Sequence, residues 1–217
     1  MARMPAAERR VALARAALAV ADRDGVHAAT TRAIVAEAGM PLSSFHYAVP
    51  SRDELLRDVV ALVVEGESDA ALAELLAGAD DVPTVLRRTL GAYLEHVRTA
   101  PGREQAMFEL TQYALRTAEL ADLPAAQYAR YHATAEALLT AAEQHLGIRW
   151  SAPVSDLARL VVTITDGVTL GWLADRDDAA ADRTLDLATA ALAPFAHPAP
   201  APVPVPSAPR TTPLEEA

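Results

Sequence analysis

Glycine and proline divide this chain of 217 residues into segments of helical length. Alanine, the strongest helix former, is abundant between these breaks, and alternation of apolar and polar residues is nearly absent. The pattern predicts an all-α fold with helices at about 5–23, 31–38, 41–48, 53–77, 83–99, 103–119, 124–146, 153–174 and 179–193.

Several classes of protein are excluded by composition. The chain has no cysteine, which rules out disulfides, thiolate zinc sites and cysteine nucleophiles. The longest apolar stretch, Leu160 to Ala174, contains Asp166 and is shorter than the roughly 20 residues that a membrane span needs. No long apolar run follows the first arginines, as a secretory signal would require. We therefore expect a cytoplasmic protein that does not cross a membrane.

The net charge of −10 is unevenly distributed along the chain. Residues 1–60 carry eight arginines against seven acids, whereas residues 61–217 carry eleven arginines against twenty-two acids. Because phosphate contacts depend on the local field, an acidic body with a locally basic N-terminus is compatible with DNA binding.

The pattern of residues 30–56 is typical of a helix-turn-helix, two short helices joined by a tight turn. Ile34 and Val35 supply the buried face of the first helix, and Gly39 adopts the turn conformation without steric cost. Met40 fills the space beneath the turn, and Phe45 anchors the second helix from inside. The alternative is that these are two small connecting helices of some other α-helical protein.

This region resembles the N-terminal domain of the TetR family of one-component transcriptional regulators over about residues 8–58. The matching positions are Ala16-Ala17, Gly25, Thr30, Ile34, Ala38-Gly39 and the run Val49-Pro50-Ser51-Arg52-Asp53-Glu54-Leu55. The chain departs from the family at His46, Ala48 and Val49, where the family usually has tyrosine, an aromatic residue and phenylalanine. Arg52 stands where the family commonly has lysine. These departures leave the operator sequence open.

The resemblance implies a set of DNA contacts. Thr31 and Arg32 would contact phosphate at the start of the first motif helix, and Arg52 would hold the DNA backbone. The side chains expected to face the major groove are Ser43, Ser44, His46 and Tyr47. Two alternatives stay open: His46 as a solvated surface histidine, and Arg32 paired with an acid such as Glu37.

The resemblance also divides the chain into three parts. Residues 1–52 would form the DNA-binding domain, and residues 53–195 a helical ligand-binding and dimerisation domain. Residues 196–217 would form a disordered tail, because the chain from Pro194 onward holds eight of the fifteen prolines. A polyproline ligand for a partner protein is the alternative for this tail.

The middle helices are predicted to enclose a small-molecule cavity, because aromatic residues and methionine gather there. The predicted ligand contacts are Tyr93, Met107, Phe108, Gln112, Tyr113, Tyr128, His132 and Trp172, with Tyr131 and Thr111 as neighbouring candidates. Ordinary core packing is the alternative for each residue. The low content of basic residues in this region favours a neutral or hydrophobic ligand.

The segments at 153–174 and 179–193 are predicted to form a homodimer interface. The first is apolar nearly all round, and a helix of that kind is usually buried by a partner. The resemblance implies a four-helix bundle made with a second copy. We expect Asp166, inside this segment, to bind a backbone group or an arginine of the bundle rather than the ligand.

Together these features predict a regulator, in the first place a repressor, that binds a palindromic operator as a homodimer and is released by a small ligand. No catalytic residue, metal site or cofactor is expected. The rival classes are an α-helical enzyme and an interaction protein that does not bind DNA. The enzyme's candidate metal ligands would be His132 with Glu136, or Asp175, Asp177 and Asp178.

Overall fold

The computed structural model describes residues 4–78 and 81–199, with residues 64–70 described by their backbone. Within this part the fold is built from nine α-helices, which confirms the all-α class. Their bounds are α1 Ala6–Asp24, α2 Thr31–Glu37, α3 Leu42–Ala48, α4 Arg52–Leu76, α5 Val82–Thr99, α6 Pro101–Ala114, α7 Leu123–Leu146, α8 Val154–Asp175 and α9 Asp178–Leu192.

Side-chain caps explain why several helices begin where the sequence predicts. Thr30 accepts a hydrogen bond from the Ala33 N–H at 3.2 Å, and Ser51 accepts one from the Glu54 N–H at 3.0 Å. Asp81 and Asp177 cap α5 and α9 in the same way. Each cap satisfies a backbone donor that the first helical turn leaves unpaired.

Two local features differ from the prediction. α6 ends at Ala114 instead of continuing to 119. The Thr117 hydroxyl donates a hydrogen bond to the Tyr113 carbonyl at 2.8 Å, and the chain then forms a 3₁₀ turn at Ala118–Leu120. In addition, β1 (Ile148–Trp150) pairs antiparallel with β2 (Ala196–Pro198). The first residues of the predicted tail are thus tied to the domain, whereas residues 200–217 lie outside the described residues.

The buried residues form two main cores. The first is built by α1, α2, α3, the N-terminal half of α4 and one face of α6. The second lies between α5, α7, α8 and α9. α4 also contacts α5 and α7, and α6 contacts α8, so both helices connect the two halves of the molecule. The domain boundary at 52/53 stays a prediction.

Candidate functional site

The α2–turn–α3 unit presents one face of α3 to solvent. Ile34 and Phe45 are buried in the first core, as the sequence predicts, and Gly39 forms the turn with a φ of +62°. The Met40 N–H donates to the Val35 carbonyl at 2.8 Å and closes the turn. Because Phe45 anchors α3 in the first core, the opposite face of the helix is exposed to solvent.

The side chains on that outward face are polar or aromatic. Ser43, His46 and Tyr47 are exposed, Tyr47 to 67% of its surface, and Ser44 is half-buried. The Arg9 guanidinium lies 5.8 Å from the centre of the Tyr47 ring, so α1 adds a positive charge beside α3. These groups can donate hydrogen bonds to base edges and phosphates.

The residues predicted to contact phosphate lie in different environments. Arg32 is exposed on α2, and Thr31 is half-buried. Arg52, in contrast, donates to the Ala29 carbonyl at 2.7 Å and to the Val26 carbonyl at 2.6 Å. Its guanidinium also lies 5.4 Å from the centre of the Tyr113 ring. Arg52 therefore joins the segment before α2 to α4 and α6 from inside.

Glu37 pairs with Arg23 at 3.1 Å rather than with Arg32. The first motif helix, α2, is thus tied to the end of α1 by an exposed ion pair, and Arg32 keeps an exposed position at its N-terminal end.

A cavity of about 120 Å³ lies between α5, α6, α7 and α8, with the far part of α4 at its edge. Four of the predicted ligand contacts line it: Tyr93, Met107, Phe108 and Tyr128. The other lining residues are Ala71, Thr89, Leu90, Glu104, Thr111, Gln127, Tyr131, Thr134, Ala135, Leu138, Val161, Val162, Thr165 and Asp166.

The other four predicted contacts lie elsewhere. Gln112 is exposed, and Tyr113 packs edge-on against His27 beside Arg52. His132 lies behind Tyr128, with 6.2 Å between the ring centres. Trp172 is buried in the second core and donates to Asp178 at 2.8 Å. The structure does not place these four side chains in the wall of the cavity.

Several lining residues were missed by the sequence analysis. Gln127, Thr134 and Leu138 share one face of α7 with Tyr131, at the spacing expected of a helix. That spacing is a signal which could have found them. Asp166 was expected to meet a backbone group or an arginine, whereas it lines the cavity and accepts a hydrogen bond from the Tyr128 hydroxyl at 2.7 Å.

Polar side chains of the cavity form two hydrogen-bonded groups. The Thr111 hydroxyl donates to Gln127 Oε1 at 3.1 Å, and Gln127 Nε2 donates to the Tyr131 hydroxyl at 3.1 Å. Tyr128 with Asp166 is the second group. Burial, together with the carboxylate of Asp166, raises the pKa of Tyr128 to about 12, so the phenol stays protonated and remains a donor.

Both carboxyl groups of the cavity are disfavoured as anions by burial. Burial raises the pKa of Asp166, against the opposing effects of Tyr128 and His132. Burial also raises the pKa of Glu104, whose Oε1 lies 3.5 Å from Arg103 Nε. The cavity thus has two carboxyl groups, both costly to ionise, within a mainly apolar and aromatic wall.

The outer face of α8 and α9 carries exposed apolar side chains. Leu160, Leu170 and Leu187 are exposed, and a methyl group at Gly167 or Gly171 would contact no other element of the described part of the chain. α8 is also the one described helix long and apolar enough to cross a membrane. A core or interface helix passes the same test of length and composition, so this feature is weak evidence for a membrane span.

The proposed metal ligands of the enzyme alternative have other partners. Asp175 accepts from the Asp177 N–H, Asp177 caps α9, and Asp178 pairs with Arg98 at 2.9 Å. Across residues 4–63, 71–78 and 81–199, no group of three or more His, Asp or Glu side chains is arranged to hold a metal ion.

Comparison with known proteins defines the class to which this arrangement belongs. The model described as bacterial regulatory proteins, tetR family, matches residues 13–59. The model described as BetI-type transcriptional repressor, C-terminal, matches residues 82–197, more than half of the chain. The protein is a helix-turn-helix transcriptional regulator, and it belongs to the TetR family.

Individual relatives agree with this assignment. The HTH-type nicotine-responsive transcriptional repressor HdnoR of Paenarthrobacter nicotinovorans is 27% identical over 176 residues, covering 81% of this chain and 89% of the relative. The crystal structure of multidrug binding protein EbrR complexed with imidazole is similar with a TM-score of 0.63 and 26% identity, covering 92% and 97%. A transcriptional regulator from Rhodococcus sp. Rha1 shares the fold with a TM-score of 0.68 and 18% identity, covering 88% and 99%.

Proposed function

We propose that this protein is a repressor that binds a palindromic operator as a homodimer and is released by a small, mostly hydrophobic molecule. The observation that carries the proposal is the polar and aromatic face of α3, held outward over the buried Phe45. The repressor named among its relatives and the BetI-type repressor match of the C-terminal part support the direction of control.

The DNA contacts follow from exposure on α2 and α3. Ser43, His46 and Tyr47 are the candidates for the major groove, and Ser44 lies at the edge of the same face. Thr31 and Arg32 contact phosphate at the start of α2. Arg52 has its donors on protein carbonyls, so its role in DNA binding is to hold the motif in shape.

The dimer brings two such motifs to one operator. The exposed leucines of α8 and α9, with Gly167 and Gly171 between them, form an apolar face that a second copy would bury. A two-fold axis along this face places the two α3 helices about one DNA turn, or ~34 Å, apart. An operator matched to that symmetry is palindromic, and the site of action is the cytoplasm.

Ligand in the cavity would reach the DNA-binding part through α4 and α6. α6 lines the cavity with Met107 and Phe108, and on its other side Glu109 accepts a hydrogen bond from the Val26 N–H at 2.9 Å. A ligand that prefers the wrong spacing of the two motifs lowers DNA affinity by its differential affinity for the two states, typically ~1–3 kcal/mol. The relatives named as nicotine-responsive and multidrug-binding support a small-molecule effector.

Binding to the DNA upstream of the gene, measured as a salt series against a scrambled duplex, tests the proposal. We expect selective, salt-sensitive binding that Tyr47→Ala weakens by about 1–3 kcal/mol, because an exposed recognition side chain is lost without loss of packing.

Leu76→Ala is the matched control, since Leu76 is an exposed apolar residue at the other end of α4, about 36 Å along the helix from Arg52. It should leave DNA affinity unchanged. Equal, weak binding to both duplexes, or no effect of Tyr47→Ala, contradicts the assignment of α3 as the recognition helix. Either result would favour the enzyme alternative.

A further inference from the structure

Asp166 is a carboxylate in the middle of the most apolar helix of the chain. It lies on the wall of the cavity, half-buried, and the Tyr128 hydroxyl donates to its Oδ2 at 2.7 Å. One neutral hydrogen bond does not offset the cost of moving an ionised carboxylate away from water. A partner of positive charge would do so.

Among the described residues, no arginine forms an ion pair with Asp166. His132, whose ring lies 6.2 Å from that of Tyr128, acts on the charge of Asp166 but is not part of the cavity wall. Glu104, the other carboxylate of the cavity, is 5% exposed but has Arg103 beside it at 3.5 Å. Asp166 is therefore the carboxylate of the cavity that, in the described part of the chain, has no arginine beside it, and a cation in the cavity would lie next to it.

Aromatic rings surround the space in front of this carboxylate. Tyr93, Phe108, Tyr128 and Tyr131 all line the cavity, and the rings of Tyr128 and Tyr131 meet edge to face with centres 5.7 Å apart. The faces of aromatic rings attract cations, and rings combined with a carboxylate are well suited to ammonium groups. None of the described residues that line the cavity is an arginine or a histidine, so an anion finds no positively charged partner there.

We propose that the cavity selects an organic cation, a protonated amine or quaternary ammonium group on a compact apolar body, with Asp166 as its counter-ion. Because the cavity is the effector site of the proposed function, the effector of this regulator is then a cation. Gln127 and Thr111 offer polar contacts on the opposite wall for a second group of the ligand.

Calorimetric titration of the full chain with two probes of the same shape tests the charge requirement directly. Phenyltrimethylammonium and tert-butylbenzene differ in a single atom, a charged nitrogen in place of a carbon. We expect the cation to bind at least about tenfold more tightly than the neutral probe. Equal affinity, or tighter binding of the neutral probe, overturns the proposal without any variant.

The variant Asp166→Asn tests whether Asp166 causes the preference for the cation. It should weaken phenyltrimethylammonium binding by about tenfold or more and leave tert-butylbenzene binding unchanged, and the neutral probe thereby reports that the cavity is intact. Glu119→Gln removes one exposed carboxylate outside the cavity and should change neither affinity. An equal loss of cation affinity in both variants, or none in Asp166→Asn, overturns the role of Asp166.

The same two probes, added to the operator complex, separate this proposal from the proposed function. Release of DNA by the cation supports both. Binding of the cation in the cavity without release of DNA contradicts ligand-controlled repression and leaves the charge selectivity standing. Release of DNA by the neutral probe alone supports ligand-controlled repression and overturns the proposal that the effector is a cation.

Discussion

At the scale of single residues, Arg52 shows how a motif residue can serve the protein interior. The sequence places it where the family commonly has lysine, and a phosphate contact follows from the resemblance. In the structure its side chain is 20% exposed and donates to the carbonyls of Val26 and Ala29. The flat guanidinium reaches both carbonyls at once, which an ammonium group does less well.

Arg52→Ala should lower the free energy of unfolding by about 2–3 kcal/mol, because two charge-assisted hydrogen bonds are lost and the Val26 carbonyl keeps only the longer bond from the Ala29 N–H, at 3.2 Å. Denaturant unfolding measures the change. Arg32→Ala is the control. Because Arg32 is exposed, its replacement should leave stability unchanged. It should reduce the slope of log affinity against log salt concentration by about one, as expected for the loss of one phosphate contact. Unchanged stability of Arg52→Ala would show that Arg52 does not support the motif.

At the scale of elements, α6 is the helix with a function on two faces. Glu104, Met107, Phe108 and Thr111 follow each other at helical spacing and line the cavity. Glu109 and Tyr113, one turn apart, face the segment before α2. Its first turn packs so closely on the end of α1 that a Cβ at Gly102 would overlap the Asp22 carbonyl and carboxylate.

Gly102→Ala should therefore destabilise the protein by about 1–3 kcal/mol, because the added methyl group forces α6 away from α1. Thermal or denaturant unfolding measures the loss. The double variant with Asp22→Ala is the control, since it removes the carboxylate but leaves the backbone carbonyl in place, so the loss should persist. Full recovery in the double variant would mean that the side chain, and not the backbone, sets the distance between the two helices.

At the scale of the whole molecule, the protein has two main cores, and one outer face is left apolar. Leu170, 57% exposed, lies on that face between Gly167 and Gly171. Scattered exposed leucines are ordinary in monomeric proteins, but a continuous apolar stripe along a long helix is typical of an interface.

In the proposed dimer, Leu170→Asp should separate the two copies and weaken operator binding by at least about tenfold, because both motifs must bind together for full affinity. Sedimentation and DNA binding measure the two effects. Leu76→Asp, at an exposed leucine on α4, is the control and should remain dimeric. A dimer that persists in Leu170→Asp would place the interface elsewhere.

Local signals made much of this protein predictable from its sequence. The caps at Thr30 and Ser51 and the turn at Gly39 act within a few residues, and the helix bounds followed from them. The family resemblance rested on the same local positions and is confirmed by the matches over residues 13–59 and 82–197. The pairing of β1 with β2, in contrast, joins residues nearly fifty positions apart, and three-residue strands carry no periodic signal.

The sequence by itself determined the helices, their order and the outward face of α3, because spacing, caps and breaks act within one or two helical turns. The tertiary structure alone decided which side chains meet in the cavity. Tyr128 meets Asp166 across 38 positions of chain, and Tyr113, near in sequence to the lining residues, turns to Arg52 instead. Such contacts depend on how whole helices rotate and cross, a property of the packed core and not of any one segment.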